Sequence, residues 1–308
     1  MTQSPETEAP DAVTKCGFVA LIGAPNAGKS TLVNQLVGAK VSIVTHKVQT
    51  TRSIIRGVLI DGESQIVLID TPGIFKPRRR LDRAMVNTAW GGAHDADVAA
   101  VLIDAGKGLD EGAEALLKRA GDIRARRILI LNKIDVVRRD ALLALAQACN
   151  AITAFDDTFM ISALNGDGVE HLKAYLAKNI PEGPWHYPED QISDLPMRQL
   201  AAEITREKLF LRLHQELPYA STVETEKWTE QKDGSVRIDQ VVYVERSTQK
   251  SIVLGKGGQT IKAISTAARE ELTELIGQKV HLFLFVKVRG GWGDDPERYR
   301  EIGLEFPR

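Results

Sequence analysis

The chain has 308 residues, enough for two domains that each bury a core of their own. Hydrophobic residues make up 43% and charged residues 26%, as in ordinary globular proteins, which argues against a disordered or fibrous chain. The 40 Lys and Arg residues nearly balance the 41 Asp and Glu residues, so total charge identifies no partner. Two distant cysteines, Cys16 and Cys149, argue against a disulfide framework. With no signal-peptide pattern and no apolar run of about 18 residues, the sequence predicts a cytoplasmic protein without a membrane span.

After a predicted flexible tail over residues 1–15, short apolar runs alternate with helical patterns up to about residue 180. Strands are predicted at 18–22, 54–60, 65–69, 98–103, 128–131 and 159–161. Helices are predicted at 29–37, 81–90, 111–120, 141–148 and 169–176. The pair Asp61-Gly62 is a hairpin signal between the second and third strands. The alternation predicts an α/β domain over residues 16–180, with a mostly parallel sheet and one antiparallel strand.

The composition changes at residues 181–196, where four prolines and several acidic residues predict a linker. Residues 197–308 then form a predicted second, smaller α+β domain. Its elements are a helix over 197–217, strands over 221–228 and 235–245, an apolar stretch ending at Leu254, a helix over 260–276 and a strand over 279–288. The predicted order is α-β-β-α-α-β.

A phosphate-binding loop is predicted between the first strand and the first helix. Its glycines let successive backbone N–H groups converge on phosphate oxygens, and the helix N-terminus favours an anion. Lys29 is expected to reach the β- and γ-phosphates, and the Ser30 hydroxyl is expected to bind Mg²⁺. The predicted phosphate-binding residues are Gly23, Ala24, Pro25, Asn26, Ala27, Gly28, Lys29, Ser30 and Thr31.

Two further motifs follow predicted strands. Asp70 can hold Mg²⁺ through water, and the Gly73 N–H can bond the γ-phosphate; the motif comprises Asp70, Thr71, Pro72 and Gly73. In the second motif, formed by Asn132, Lys133, Ile134 and Asp135, the Asp135 carboxylate suits the paired N–H donors of guanine. Adenine lacks that donor pair, so the sequence predicts GTP and GDP rather than ATP as ligands.

Smaller features complete the predicted nucleotide site. Ser162 and Ala163, together with Leu164, are expected to place a backbone N–H near the guanine oxygen. A threonine of the segment Gln49-Thr50-Thr51-Arg52 would bind Mg²⁺ only while a γ-phosphate is present, which predicts a switch over residues 42–53. Thr51 is favoured over Thr50, and the alternative is ordinary strand-forming sequence. Lys29, Thr51 and Gly73 are the predicted catalytic residues; Ser30, Thr51 and Asp70 are the predicted metal ligands.

Ile74 occupies the position at which Ras-like GTPases have a water-orienting glutamine. An aliphatic side chain can neither donate nor accept a hydrogen bond, so intrinsic hydrolysis is expected to be slow. A K⁺ ion held partly by Asn26 is our hypothesis for the missing charge stabilisation.

The second domain carries a Gly-x-x-Gly turn between two helical stretches. Small residues let a nucleic-acid backbone approach closely, as in RNA-binding KH domains, and Lys256 adds attraction for phosphate. The alternative is a tight helix–helix turn whose aliphatic neighbours face the core. Nearby basic residues favour RNA, and Arg289, Arg298 and Arg300 would extend the positive surface. The predicted RNA-binding residues are Ile252, Val253, Leu254, Gly255, Lys256, Gly257, Gly258, Ile261 and Lys262.

One nucleotide-binding domain with these motifs, followed by a linker and a KH domain of the type II order, resembles the Era family of bacterial GTPases. The resemblance covers nearly the whole chain after the tail. It implies Mg²⁺-dependent GTP hydrolysis, assembly of the small ribosomal subunit, and binding near the 3′ end of that subunit's RNA. It also implies a largely cytoplasmic protein with a fraction peripherally bound to the inner membrane, and we expect a monomer.

Two hypotheses for function remain open at this point. In the first, a GTP-hydrolysing assembly factor binds single-stranded RNA in its GTP state. In the second, nucleotide binding gates an RNA-binding module, and GTP turnover is negligible. The second hypothesis stays open because Ile74 cannot orient a water molecule. A membrane-linked signalling GTPase would require a basic amphipathic anchor or a lipidation motif, and the sequence shows neither.

Overall fold

A computed structural model describes residues 13–47, 50–77, 79–214, 217–291, 296–301 and 304–306. Residues 1–12 of the predicted tail and Val48 and Gln49 of the predicted switch lie outside these ranges, and Lys15 already belongs to a strand. The first half contains β1 (Lys15–Gly23), α1 (Lys29–Val37), β2 (Ile55–Asp61), β3 (Ser64–Asp70), α2 (Arg80–Asp95), β4 (Val98–Asp104), α3 (Glu111–Ala120), β5 (Arg126–Asn132), α4 (Arg139–Ile152), β6 (Asp157–Ile161) and α5 (Val169–Asn179).

The six strands of this half form one sheet in the order β2-β3-β1-β4-β5-β6. Only the hairpin pair β2–β3 is antiparallel, so the predicted mostly parallel sheet is confirmed. The parallel strands β1, β3, β4 and β5 each contain an apolar run, as expected for strands whose two faces are both covered by helices. Residues of α1 and α5 pack on one face, and residues of α2, α3 and α4 pack on the other. Because the carboxyl ends of the parallel strands meet at one edge, Gly23, Asp70 and Asn132 are brought together there.

The second half contains α6 (Met197–Arg212), β7 (Ser221–Glu230), β8 (Val236–Val244), α7 (Ser247–Leu254), α8 (Gln259–Ile276), β9 (Val280–Val288) and α9 (Pro296–Glu301). Its sheet has the order β7-β8-β9, with β7–β8 antiparallel and β8–β9 parallel. Helices α6 and α8 contribute to both hydrophobic clusters of this half. The predicted order of six elements is therefore confirmed, and α9 is an element that the sequence did not predict.

Helix α6 ends five residues earlier than predicted, at Arg212 rather than at Leu217. Leu213 has an extended backbone (φ −92°, ψ 152°), and its amide closes the last helical bond to the Leu209 carbonyl. Leu213 and Leu217 are both buried in the core that contains Phe210. The helix ends early because the extended backbone of Leu213 places its side chain in this core.

The segment predicted as a linker lies along the edge strand of the larger sheet. The Val58 amide donates to the Ile192 carbonyl at 2.9 Å, and Arg56 forms an ion pair with Asp194 at 2.8 Å. Gln65 donates from its side chain to the Tyr187 carbonyl at 2.7 Å. The segment therefore covers part of the exposed edge of β2, a place where an uncovered strand could pair with another chain. Within the described ranges, no helix combines the length and apolarity that crossing a bilayer requires.

Candidate functional site

The turn between β1 and α1 has the tight geometry that its glycines predict. Asn26 (φ 64°) and Gly28 (φ 100°) both adopt left-handed backbone conformations. A Cβ on Gly28 would lie 2.1 Å from the Asn132 side-chain nitrogen, and one on Gly23 would lie 2.7 Å from the Leu102 carbonyl oxygen. Any side chain at either position would displace a neighbour, so both glycines are required for this packing. The turn leads into the N-terminus of α1, which favours a bound anion.

The three predicted metal ligands lie together, with the Ser30 and Thr51 hydroxyls beside the Asp70 carboxylate. The Ser30 hydroxyl donates to Asp70 Oδ2 at 2.7 Å and lies 3.0 Å from Thr51 Oγ1. Thr51 Oγ1 lies 3.4 Å from the same carboxylate oxygen. Burial raises the pKa of Asp70, although Lys29 and the neighbouring hydroxyls act in the opposite direction. Within the described ranges Asp70 Oδ1 has no hydrogen-bond partner. Buried oxygen donors around an incompletely satisfied carboxylate fit a hard cation such as Mg²⁺.

Thr50 and Thr51 have different surroundings. Thr50 Oγ1 donates to the Lys47 carbonyl at 2.8 Å and lies 2.6 Å from Thr45 Oγ1, away from Asp70. Thr51 is the threonine that lies beside Ser30 and Asp70, as favoured from the sequence. Ser42 donates to Asp70 Oδ2 at 2.7 Å, and the sequence analysis did not single it out. A single serine between Val41 and Ile43 carries no pattern that could have identified it.

Lys29 is almost fully buried in the phosphate-binding loop, with 6% of its surface exposed. Its ammonium donates to the Gly23 and Ala24 carbonyls at 3.2 and 3.1 Å. Burial lowers the pKa of Lys29 to about 8, and the nearby Asp70 carboxylate opposes that shift. The ammonium therefore has weak partners in a desolvated position, where negatively charged phosphate oxygens would stabilise it strongly.

The residues after β3 pack directly against the phosphate-binding loop. A Cβ on Gly73 would lie 2.9 Å from the Pro25 backbone, and the Ile74 amide donates to the Gly23 carbonyl at 2.9 Å. Thr71 donates to the Leu21 carbonyl at 2.6 Å, which fixes the start of this segment. Ile74 packs partly against the hydrophobic cluster beneath α2. Position 74 therefore provides no polar side chain that could orient a water molecule for hydrolysis.

Asn132 links three parts of the site. Its side-chain nitrogen donates to the Ala27 carbonyl at 2.8 Å, and its side-chain oxygen accepts from the amides of Lys133 and Ala163. Lys133 has a left-handed backbone (φ 68°) and forms an ion pair with Asp104 at 2.6 Å. Asp135 is exposed, as a side chain that meets a ligand should be.

The amides of Ser162 and Ala163 both donate within the protein, to the Asp167 carbonyl and to Asn132 respectively. Which amide of residues 162–164 reaches a guanine oxygen stays a prediction.

A cavity of about 470 Å³ lies at this edge of the sheet. Asn26, one of its lining residues, donates from its side chain to the His46 carbonyl at 2.7 Å, so its proposed role toward K⁺ stays a prediction. Lys107 also lines the cavity, and the sequence analysis missed it because no pattern distinguishes it from other surface lysines. The lining residues are Pro25, Asn26, Gly28, Lys29, Ser30, Thr31, Val44, Thr45, His46, Thr50, Thr51, Gly73, Lys107 and Lys133.

The glycine-rich turn of the second half connects α7 to α8. Gly255, Gly257 and Gly258 all have positive φ values (74°, 60° and 78°), which other residues rarely adopt. Lys256 and Lys262 are exposed, and Ile252 is 58% exposed beside the turn. A glycine-rich turn with an exposed cation and an exposed aliphatic side chain fits the clamp on a nucleic-acid backbone that the sequence predicts.

Val253 has a different position from the one that its predicted RNA contact requires. Its side chain is fully buried in the core that includes Val242 and Ile264. Consecutive residues of a helix point about 100° apart, so Ile252 faces outward while Val253 anchors α7. We correct its role to packing beneath the turn. Leu254 and Ile261 are partly buried against the same core, and the side chains of Arg298 and Arg300 lie outside the described residues.

Comparison with protein families assigns both halves. Residues 18–133 match a family described as "50S ribosome-binding GTPase". Residues 216–293 match the KH domain family.

Two curated relatives cover almost the whole chain. GTPase Era of Brucella suis biovar 1 is 69% identical over 302 residues, which is 98% of this chain and 96% of the relative. GTPase Era of Rhizobium meliloti is 69% identical over 309 residues, which is 100% of this chain and 99% of the relative.

Two solved structures share the arrangement of both halves, each with a TM-score of 0.89, 37% identity, and coverage of 94% of this chain and 99% of the other. One is Era in complex with MgGDPNP and nucleotides 1506–1542 of 16S ribosomal RNA. The other is a point variant of Aquifex aeolicus Era bound to GDP·AlF₄⁻.

Proposed function

The chain belongs to the Era family of GTPases, and from this premise we propose that it binds the 3′ end of small-subunit ribosomal RNA and acts in assembly of that subunit. It is a GTPase with a KH domain, as its family and its two matched domains show. The observation that carries the RNA proposal is the solved Era complex with nucleotides 1506–1542 of 16S ribosomal RNA. The exposed glycine-rich turn from Gly255 to Gly258 is the surface proposed for this contact.

We assign the nucleotide chemistry to the buried cluster at the edge of the large sheet. Lys29 would neutralise charge on the β- and γ-phosphates, and the Gly73 amide would bond the γ-phosphate. The Ser30 and Thr51 hydroxyls and the Asp70 carboxylate would hold Mg²⁺. When bound, Mg²⁺ would add positive charge where the phosphate oxygens gain negative charge.

Base recognition is assigned to Asp135, whose carboxylate would accept from both guanine N–H groups. Asn132 holds the base loop to the phosphate-binding loop through the Ala27 carbonyl. Because this link is a direct hydrogen bond, a shift of the base loop would also disturb the phosphate side of the site.

Ile74 supports slow turnover in the absence of a partner. Its aliphatic side chain can orient no water molecule, and its backbone amide already donates to the Gly23 carbonyl. We propose that RNA binding, and K⁺ bound near Asn26, raise the rate. The rival hypothesis, nucleotide gating with negligible turnover, makes the opposite prediction for that rate.

The comparisons mention both ribosomal subunits: a family description mentions the large (50S) subunit, and a solved structure contains RNA of the small subunit. The family description that mentions the 50S subunit matches only residues 18–133, the nucleotide-binding half. The 16S complex comes from a structure that matches both halves at 37% identity. Because the RNA-binding surface lies in the second half, we favour the small subunit as the partner.

The RNA target can be tested by binding the purified protein to a labelled RNA with the sequence of the 3′ end of 16S RNA. A shuffled RNA of equal length and composition is the control. We expect tighter binding to the natural sequence at equal salt, since phosphate contacts alone do not distinguish the two. Equal affinity for both RNAs would contradict the proposed RNA target. It would not contradict the assignment of the chain as a GTPase. A cytoplasmic location with a peripheral inner-membrane fraction stays a prediction that cell fractionation would test, as does the monomeric state.

A further inference from the structure

One face of α6, in the RNA-binding half, contacts the predicted switch segment of the nucleotide-binding half. Glu207 accepts from the Val44 amide at 2.8 Å and forms an ion pair with Lys40 at 2.7 Å. Lys47 donates to the carbonyls of Phe210 and Leu213 at the C-terminal end of α6. Glu207 and Phe210 are three residues apart on α6, and Leu213 directly follows its last residue, so these contacts form one stripe along the helix and its C-terminal end.

Arg206 lies within this stripe and reaches the residue next to Thr51. Its Nη2 donates to the Thr50 carbonyl at 2.5 Å, and only 1% of Arg206 is exposed. The guanidinium is oriented by its own helix, because Glu203 accepts from Arg206 Nε at 2.8 Å and Phe210 lies 5.1 Å beneath it. A buried, charge-assisted hydrogen bond from a side chain held in this way is well suited to fix a backbone position.

Arg52 fixes the other side of Thr51. Its guanidinium donates to the carbonyl of Ser221, the first residue of β7, at 2.8 Å and to that of Pro218, three residues earlier, at 3.1 Å. Both neighbours of Thr51 are therefore attached to the second half of the protein. Thr51 itself points toward Ser30 and Asp70.

The geometry points to Arg206 as a positioning residue for Thr51, through which the RNA-binding half sets how strongly the nucleotide site distinguishes GTP from GDP. This inference rests on the proposed role of Thr51 as a Mg²⁺ ligand in the GTP state. Arg206 is not among the residues that line the nucleotide cavity. It holds the Thr50 carbonyl, and this leaves the Thr51 hydroxyl close to Ser30, where the cation would bind.

This position has a specific consequence for binding. Only the GTP state would use the Thr51 hydroxyl, so loss of the Arg206 contact should weaken binding of the GTP form and leave GDP binding nearly unchanged. A residue that merely stabilised the fold would affect both nucleotides equally. The ratio of the two affinities therefore distinguishes positioning from general stability.

The experiment is a double-mutant cycle in the full chain with Arg206→Gln, Thr51→Ala and both together. The affinities for GDPNP and for GDP are measured by fluorescence titration with Mg²⁺ present, and the Mg²⁺ concentration for half-maximal GDPNP binding is measured separately. Arg198→Gln is the matched control, because Arg198 lies on the same helix and donates to the carbonyls of Thr225 and Glu226 within the second half.

We expect Arg206→Gln to reduce the GDPNP-to-GDP affinity ratio about tenfold, which is within the usual range for coupling between two sites. We also expect it to raise the Mg²⁺ concentration required for half-maximal GDPNP binding. Thr51→Ala alone should reduce the ratio at least as much, and the double variant should match Thr51→Ala. Arg198→Gln should leave the ratio unchanged. If Arg206→Gln fails to fold, Glu203→Gln, which loosens the guanidinium, takes its place in the cycle with a smaller effect in the same direction.

The outcomes distinguish the positioning role of Arg206 from the metal-binding role of Thr51. If Thr51→Ala lowers the ratio and the Arg206 and Glu203 variants do not, the positioning role is wrong and the assignment of Thr51 stands. Additive losses in the double variant would also overturn the positioning role, because Arg206 would then act independently of Thr51. If Thr51→Ala itself leaves the ratio unchanged, the proposed metal ligand is wrong.

Discussion

The charge of Lys29 should make GTP binding depend on pH in a defined way. Burial lowers its pKa to about 8, and phosphate oxygens of a bound nucleotide would raise it again. Binding above that pKa must therefore take up a proton, so affinity should be constant at lower pH and fall at higher pH. At pH 9, one unit above the pKa, about one protein molecule in ten still carries a protonated Lys29. The affinity should therefore fall about tenfold between pH 7 and pH 9, which corresponds to ~1.4 kcal/mol of binding free energy.

The measurement is a fluorescence titration with GDPNP over this pH range at constant ionic strength and Mg²⁺ concentration. Guanine also loses an N–H proton in alkaline solution, which would weaken the contact with Asp135. The variant Lys29→Arg provides the matched control, because an arginine stays charged throughout. This variant should bind GDPNP more weakly than the wild type at every pH. The remaining fall in its affinity at high pH should come only from loss of the guanine N–H proton.

The quantity that tests the reasoning is the ratio of the two affinities, wild type over Lys29→Arg. We expect this ratio to fall about tenfold across the range. Calorimetry at pH 8.5 in buffers of different ionisation enthalpy should also show net proton uptake in the wild type. A constant ratio, with no proton uptake, would mean that Lys29 is fully charged before the nucleotide binds and would refute the argument from burial.

Four other predictions concern separate parts of the protein. Gly73→Ala should lower kcat for GTP more than tenfold with little change in GDP affinity, because its Cβ would lie 2.9 Å from the Pro25 backbone; wild-type kcat would contradict this packing. Asp135→Asn should shift preference from GTP toward xanthosine triphosphate by a hundredfold or more, to be measured by competition, and an unchanged preference would contradict the base assignment. Gly258→Asp should abolish RNA binding in a filter assay while GTP binding is kept, since its φ of 78° and added negative charge act only at the turn; a parallel loss of both would contradict separate sites. Hydrolysis should be faster in KCl than in NaCl at equal ionic strength if Asn26 helps to hold K⁺, and equal rates would exclude that role.

The parts of the molecule that local patterns determine could be predicted from the sequence. The helices Lys29–Val37 and Glu111–Ala120 have the predicted bounds, because apolar periodicity and end signals lie within each segment. The nucleotide motifs could be located because each follows a strand in a parallel sheet, whose carboxyl ends must meet. The phosphate-loop motif also predicted a glycine at position 28 from local sequence. The physical reason for that glycine, close contact with the Asn132 side chain, is long-range and could not be predicted.

Features that depend on packing between distant segments could not be predicted. Val253 is buried although a neighbouring isoleucine is exposed, and the direction of each depends on how α7 lies on the sheet. The early end of α6 depends on the core position of Leu213, which no nearby residue indicates. The contact between Arg206 and the Thr50 carbonyl joins residues 156 positions apart, and an arginine within an amphipathic helix is usually a solvated surface residue.

We propose that GTP hydrolysis in the first half serves RNA bound by the second half. Single-turnover hydrolysis of GTP, measured with and without the 3′-end RNA in the wild type and in Gly258→Asp, separates this coupling from independent activities of the two halves. We predict slow hydrolysis without RNA, at least tenfold stimulation by RNA in the wild type, and no stimulation in Gly258→Asp. A rate that stays near zero with RNA, or equal stimulation in both proteins, would contradict the claim.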